Sequence, residues 1–134
     1  FLFLLYFFVR TYYQTIRKYY KLNLFQNNMD VRIDNKLICN ARFCDGFSKV
    51  KGLMFSRKLK DEGLILNNAS SIHMFFVFFS IDVVWLYNNK VVDTRENVKP
   101  FTSLVKPKTK ANKVLELPLG KAKLFKLGKE VYFK

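Results

Sequence analysis

The chain begins with nine apolar residues, starting at Phe1, and this run ends at Arg10. A helix that crosses a bilayer needs about 20 apolar residues, so the run alone cannot cross one. Tyrosines and cations follow it as far as Lys21, a composition typical of the interface between lipid and water. The pattern therefore predicts a helix over residues 1–20 that ends a membrane anchor, with residues 1–21 contacting lipid. Since the chain does not begin with Met, we expect the rest of the anchor upstream; the alternative is a core helix packed on the domain.

After residue 28 the apolar positions predict mostly short strands. The pair Asn88-Asn89 indicates a tight turn, because Asn tolerates positive φ. Residues 72–79 are almost continuously apolar, which predicts a central strand buried on both faces. Two short helices are expected, one over residues 44–55 and one over residues 121–127 that ends at Gly128. The predicted strands cover residues 31–33, 36–43, 63–66, 72–79, 82–87, 90–92, 114–117 and 130–133.

A chain of 134 residues can form one domain with a real core. Short strands with two small helices predict a mainly β fold, a compact antiparallel β sandwich or a flattened, closed sheet. We therefore divide the chain into residues 1–28, an anchor remnant with its interfacial flank, and residues 29–134, the β domain.

The formal charge of +14 comes from 24 Lys and Arg against 10 Asp and Glu. Such a charge favours anionic partners, but the favoured interpretation is the Lys-rich composition typical of AT-rich genomes, which implies no partner. Residues 1–28 carry four cations and no acid, and the cations of the β domain form no run of five. Single-stranded nucleic-acid binders interleave clustered cations with exposed aromatics, whereas the aromatics here lie in apolar runs. No specific nucleic-acid partner is expected, and burial of Phe75, Phe76 and Phe78 would support that expectation.

Metal and cofactor motifs are not evident in this sequence. Two cysteines, Cys39 and Cys44, and the single histidine, His73, are too few for a zinc site. There is no Walker loop, dinucleotide-binding glycine cluster or His-Glu-x-x-His motif. We expect no metal and no cofactor. The two cysteines could form a disulfide, but two buried free thiols are the favoured interpretation.

Asp82 and His73 are the candidate functional polar residues. Asp82 stands between Ile81 and Val83, where an unpaired carboxylate would cost several kcal/mol, so it requires a partner. A backbone turn, Arg42 or Lys51 could provide one, and the favoured role is structural. His73 could act as a general base, although no nucleophile accompanies it in a recognisable motif. The adjacent acids at positions 61 and 62 are expected to face water.

Several short motifs follow one another along residues 36–134. They are Gly52-Leu53-Met54, Gly63-Leu64-Ile65-Leu66, Met74, Ile81-Asp82, Val91-Val92, Val114-Leu115-Glu116-Leu117 and Gly120. Their order resembles that of the domain of unknown function 192 family. The resemblance implies a jelly-roll-like β sandwich, frequently behind a membrane anchor or signal sequence. It also implies structural roles for Gly52, Leu53, Met54, Gly63, Glu116 and Gly120.

The sequence departs from this family at three places. His73 replaces the usual Trp, Phe75-Phe76-Val77 replaces a Lys-Asn-Thr triplet, and Lys129 stands where an acidic residue is common. Any ligand site that the polar triplet forms in relatives is therefore not expected here.

Together these patterns predict a membrane-tethered, non-catalytic β domain that binds or organises an unknown ligand or protein at the cell envelope. The alternative is an enzyme acting on an envelope-associated substrate, which requires Asp82 and His73 in one cleft. The cations after the apolar run favour a cytoplasmic domain. The resemblance favours the extracytoplasmic side instead.

Overall fold

The computed structural model describes residues 1–20, 28–44, 53–54, 59 and 62–134, with only the backbone for residues 16–20. The predicted N-terminal helix is present as α1, Leu2–Tyr20. The predicted helix over residues 44–55 lies almost wholly outside the described part, as do Gly52 and Lys51. A short 3-10 turn, Ala122–Leu124, replaces the longer helix predicted over residues 121–127. The strands are β1 (Asn28–Ile33), β2 (Lys36–Cys44), β3 (Glu62–Asn67), β4 (Ile81–Tyr87), β5 (Lys90–Val98), β6 (Lys113–Leu117) and β7 (Tyr132–Phe133).

The seven strands form one sheet in the order β5-β4-β6-β3-β2-β1-β7. The mainly β prediction is confirmed, whereas the finer prediction of an antiparallel, jelly-roll-like sandwich is not. One neighbouring pair, β2 and β3, runs parallel, with Ala41 opposite Gly63. Parallel neighbours need a connection of about a dozen residues or more, and β2 and β3 are separated by more than that along the chain. The other pairs are antiparallel.

Residues 128–133, here called the closing segment, join the two ends of the sheet. The backbone N–H of Gly128 donates to the carbonyl of Val91 on β5, and the N–H of Val91 donates to the carbonyl of Lys129. A few residues later β7 pairs with β1, with Tyr132 opposite Arg32. The sheet is therefore closed around one of its faces.

Apolar side chains fill both faces of the sheet, and alternation along each strand decides which face each residue joins. On β4, Val84 and Leu86 point to the closed face, while Ile81, Val83 and Trp85 point to the other. The inner layer comprises Val31, Ile33, Cys39, Ala41, Ile65, Val84, Leu86, Val91, Leu115, Leu117, Ala122, Phe125 and Val131. The outer layer comprises Cys44, Leu53, Leu64, Leu66, Ile72, Met74, Val77, Ile81, Val83, Trp85, Val98, Val105 and Val114.

The predicted strand over residues 72–79 is wrong. Only one isolated bridge forms there, between Ile72 and Val105, and Phe76 has a φ of 55°. Residues 68–80, here called the covering segment, instead cross the outer layer and bury Met74 and Val77 in it. A short apolar run does not reveal its own backbone conformation, because strands and packed loops can share it.

The tight turn predicted at Asn88-Asn89 is confirmed, with φ values of 49° and 65°. It joins β4 to β5, and a two-residue turn with both residues at positive φ matches the twist of a hairpin. Gly128 has a φ of 82° and begins the closing segment rather than ending a helix.

Candidate functional site

Asp82 is a buried carboxylate with three backbone partners. Its side chain is 1% exposed and points to the inner layer, between β4 and the 3-10 turn. Oδ1 accepts a hydrogen bond of 3.0 Å from the N–H of Asn97. Oδ2 accepts bonds of 2.9 Å from Gly120 and 3.0 Å from Ala122. Of the three kinds of partner considered from the sequence, backbone N–H groups are the ones observed. The carboxylate of Asp82 therefore holds β4, β5 and the start of the 3-10 turn in contact.

His73 lies in the covering segment and is half-buried. Its Nδ1 accepts a hydrogen bond of 3.3 Å from the N–H of Phe75, and the two rings are 5.3 Å apart. Because the covering segment packs on the outer layer, His73 and Asp82 lie on opposite faces of the sheet. The structure therefore does not bring these two candidate residues into one cleft. Within the described ranges, no cluster of three or more His, Cys, Asp or Glu could hold a metal ion.

Glu116 is a second buried carboxylate, in a very different environment. It is 4% exposed on β6 and shares the outer face of the sheet with Val114. Among the residues described here, its Oε2 has no hydrogen-bond partner. Burial raises the pKa of this carboxyl from 4.5 to about 7. A group held this way can change its charge near neutral pH.

The structure shows why glycine is required at two of the family-motif positions, Gly63 and Gly120. A Cβ added at Gly63 would lie 2.9 Å from Cδ2 of Leu117 and 3.0 Å from the carbonyl oxygen of Glu116. Gly63 therefore permits the close approach of β3 and β6. Gly120 has a φ of 85° and places its N–H on Asp82. Leu53 is buried in the outer layer, and Met54 is half-buried.

Cys39 and Cys44 are both buried, and neither is in a disulfide. They are five positions apart on one strand, so their side chains lie on opposite faces, Cys39 in the inner layer and Cys44 in the outer layer. The disulfide left open by the sequence does not form. Burial raises the pKa of the Cys39 thiol to about 11, although Lys121 acts in the opposite direction. Cys39 is therefore an unreactive core thiol.

The apolar part of α1 is largely exposed. The residues less exposed than their neighbours are Tyr6, Val9 and Tyr13, a stripe at helical spacing. The ring of Tyr6 lies 6.3 Å from the ring of Phe76 in the covering segment. Within the described part of the chain, no helix has both the length and the apolarity that a bilayer crossing requires. Large exposed apolar residues on the remaining faces are Phe1, Leu2, Phe3, Leu4, Leu5, Phe7 and Phe8.

Three phenylalanines, Phe76, Phe78 and Phe101, form an aromatic patch beside α1. Phe78 and Phe101 are 51% and 50% exposed, and Phe75, the chain neighbour of Phe76, is 45% exposed, so the expected burial is wrong for Phe75 and Phe78. The ring of Phe101 meets the ring of Phe78 at 5.2 Å and that of Phe76 at 6.5 Å, both edge to face. Phe76 and Phe101 have φ values of 55° and 60°. Bulky residues rarely adopt this conformation, and such strain often marks a functional surface.

Charge is distributed unevenly over the β domain. Residues 62–89, which include most of the aromatic patch, contain no Lys or Arg, whereas residues 90–134 contain 12 of them and four acids. Two of those acids, Asp93 and Glu116, are buried, so the surface is more positive than the sequence count suggests. Arg95 and Lys110 lie over the rings of Trp85 and Tyr87, at 5.8 Å and 5.1 Å.

The fold and these sites define a small β domain with one closed sheet and an N-terminal helix, in which Asp82 and His73 lie on opposite faces of the sheet. Residues 30–133 match the family DUF192, described as an uncharacterized ACR, and the chain belongs to this family. No match to a curated protein was found.

Two solved structures share the fold. One is a proposed transcription regulator from Sinorhizobium meliloti 1021, with a TM-score of 0.71, 17% identity, and coverage of 83% of this chain and 97% of that chain. The other is a protein of unknown function from Novosphingobium aromaticivorans DSM 12444, with a TM-score of 0.64, 20% identity, and coverage of 78% and 83% respectively. Identities this low establish the likeness of the folds alone.

Sequence reasoning missed two features of the site. Phe101 stands alone between Pro100 and Thr102, so nothing nearby indicated that its ring would join Phe76 and Phe78. Glu116 was expected only as a structural motif residue. Its position between Leu115 and Leu117 carried the same signal as that of Asp82, a charge inside an apolar strand.

Proposed function

We propose that this protein is a non-catalytic β domain held at a membrane surface, where it binds or organises a partner at the cell envelope. The observation that carries the proposal is the exposed apolar surface of α1 together with the aromatic patch, which approach each other where the ring of Tyr6 lies 6.3 Å from the ring of Phe76. Exposed apolar surface of this extent is typical of a lipid or protein contact.

The physical forces favour lipid. Moving one large apolar side chain out of water is worth about 1.5–3 kcal/mol, so a few side chains suffice for measurable binding. Each cation near an acidic membrane surface adds about 1 kcal/mol. Arg10, exposed at the end of the apolar run, supplies this second contribution. On α1, the hydroxyl of Thr11 donates to the carbonyl of Phe7, so this polar group keeps a partner when water is removed.

An enzymatic role receives less support, because Asp82 and His73 lie on opposite faces of the sheet. Asp82 already accepts three backbone hydrogen bonds, and each of its oxygens has a donor. A nucleic-acid partner is the competing proposal, suggested by the name of the Sinorhizobium neighbour. The exposed Phe75 and Phe78 could stack on bases, but their stretch of chain contains no cation to hold a phosphate backbone.

Vesicle sedimentation tests the proposal. The full chain is mixed with phosphatidylcholine vesicles, with and without phosphatidylserine, and the bound fraction is measured at low and high salt. We expect binding to both vesicle types, stronger with phosphatidylserine at low salt. The double variant Phe78→Ser with Phe101→Ser should bind at least about tenfold more weakly. Burying even one such side chain in lipid contributes about 1.5 kcal/mol to the free energy of binding, which is about tenfold in affinity.

The matched control is Leu127→Ser, which removes an exposed apolar side chain outside the aromatic patch and should leave binding unchanged. Equal binding by the double variant and the control would contradict the role of the patch. Tighter binding to a short DNA or RNA strand than to either vesicle, lost in the double variant, would replace lipid with nucleic acid as the partner.

A further inference from the structure

Glu116 is surrounded by apolar side chains within the sheet. It is paired with Leu64 on β3 and with Val83 on β4, and all three side chains are on the outer face. Trp85 is its diagonal neighbour on β4, because Trp85 pairs with Val114 two positions earlier on β6. Diagonal neighbours in a sheet lie within reach of a large side chain.

No described charge neutralises Glu116. On the same face Glu62, at the exposed start of β3, is a like charge. From β5, Asp93 accepts hydrogen bonds from the backbone N–H groups of Thr94 and Lys108 and is fully occupied.

The nearby cations have other partners. Arg95 lies over the ring of Trp85 and donates to the carbonyl of Lys106. Lys113, on the same strand as Glu116, donates to Asn89 and lies over the ring of Phe133. His73 is in the covering segment, with its Nδ1 accepting from the N–H of Phe75.

The covering segment is attached to this same part of the outer layer. The indole N–H of Trp85 donates a hydrogen bond of 2.8 Å to the carbonyl of Ser70. Ile72 and Val105 exchange two backbone hydrogen bonds. The N–H of Met74 donates to the carbonyl of Thr102, and the carbonyl of Met74 accepts from the N–H of Phe101. The segment also contains Phe76 at positive φ, so its closed conformation stores strain that packing must offset.

We propose that Glu116 is a proton-controlled latch: as a neutral acid it keeps the covering segment packed on the outer layer, and as a carboxylate it loosens that packing. The neutral form can remain in an apolar layer at small cost. A bare carboxylate in the same place is strongly disfavoured, and admitting water relieves the penalty. The device operates in the protein alone and does not depend on a membrane.

The sign follows from the burial. Because burial raises the pKa of Glu116 to about 7, the folded protein holds this proton more tightly than the unfolded chain. The latch is therefore closed in mild acid and loosens as pH rises through about 7.

Trp85 provides the readout, because it is the single tryptophan of the chain and is fully buried under the covering segment. Acrylamide quenching of its fluorescence is followed from pH 5 to pH 8.5, with far-ultraviolet circular dichroism to show that the sheet stays folded. We expect a several-fold rise in the quenching constant with a midpoint near 7. Glu116→Gln should show low quenching throughout, because its uncharged amide has nearly the same shape.

His73 is the control, since it is the single histidine of the chain and lies in the covering segment itself. His73→Gln should retain the wild-type transition. The proposal is overturned if wild-type quenching is flat, if Glu116→Gln keeps the transition, or if His73→Gln abolishes it. Should Glu116→Gln not fold, carbon-13 labelling of the four glutamates in the wild type decides, since one of them must titrate near 7.

Discussion

Oδ2 of Asp82 accepts a hydrogen bond of 2.9 Å from the backbone N–H of Gly120, which lies 38 residues further along the chain. The same carboxylate also holds Asn97 and Ala122, so one side chain fixes the end of β5 and the start of the 3-10 turn against β4. A charge inside an apolar strand is thus explained by the backbone donors around it.

Replacing Asp82 should therefore weaken the fold. Asp82→Ala leaves buried donors without an acceptor and should lower the free energy of unfolding by about 1–3 kcal/mol or more. Asp82→Asn should recover part of the loss, because the amide oxygen still accepts. Urea denaturation at neutral pH measures both, with Glu130→Ala as the control, since the hydrogen bond that Glu130 accepts from the hydroxyl of Tyr132 is exposed. Equal stability of Asp82→Ala and the wild type would refute the structural role.

A methyl group at Gly63 should also destabilise the domain. Its Cβ would press on the backbone oxygen of Glu116 at 3.0 Å, and a strand backbone cannot move aside cheaply. We expect Gly63→Ala to lower the free energy of unfolding by about 1–3 kcal/mol. Gly128→Ala is the control: no atom lies within 4 Å of its added Cβ, and only the positive φ opposes it. A larger loss for Gly128→Ala than for Gly63→Ala would contradict the steric account.

The stability of the domain should depend on pH through Glu116. A carboxyl whose pKa rises on folding stabilises most below its unfolded value of 4.5, and this contribution is lost as pH rises to about 7. Guanidine titrations of the wild type and Glu116→Gln between pH 4.5 and 8 would measure it. The wild type should lose stability relative to the variant over this range. Parallel curves for the two proteins would show that Glu116 does not hold its proton on folding.

Neither cysteine should react in the folded protein. Cys39 is buried and its pKa is raised to about 11, and Cys44 is buried on the other face. A thiol-specific disulfide reagent at pH 8 should react slowly with the folded protein in native buffer. In denaturant it should react quickly with two thiols per chain. Rapid release of one equivalent in native buffer would contradict the burial of these side chains.

Removing the helix should separate membrane binding from folding. We expect residues 29–134 to be soluble and folded, because both apolar layers of the β domain are built from residues after position 28. Vesicle binding should fall while the urea midpoint changes little. Aggregation of the truncated chain, with the full chain soluble without detergent, would instead assign the helix to the core.

The sequence predicted features that depend on nearby residues. The hairpin of β4 and β5 was predictable from Asn88-Asn89, because these two residues adopt the positive φ values that the turn requires. The parallel pairing of β2 with β3 and the closing segment could not be inferred, because each joins residues far apart in the chain.

The same limit applied to the candidate site. The need of Asp82 for a partner was visible from its neighbours, but the identity of the partners, such as Gly120, required the fold. The aromatic patch could not be predicted, because the apolar run over residues 72–79 has the pattern of a buried strand. Only the packing of Met74 inward decides that Phe75 and Phe78 point outward.

The position of the closing segment also orders events during synthesis. Helix α1 is complete before any strand exists, whereas the sheet can close only after residue 133 has been made. While residues 28–133 are being made, the nascent chain therefore carries the completed segment of α1 beside an unfinished domain. Under the proposed lipid contact, such a chain would reach the membrane surface first and fold there afterwards.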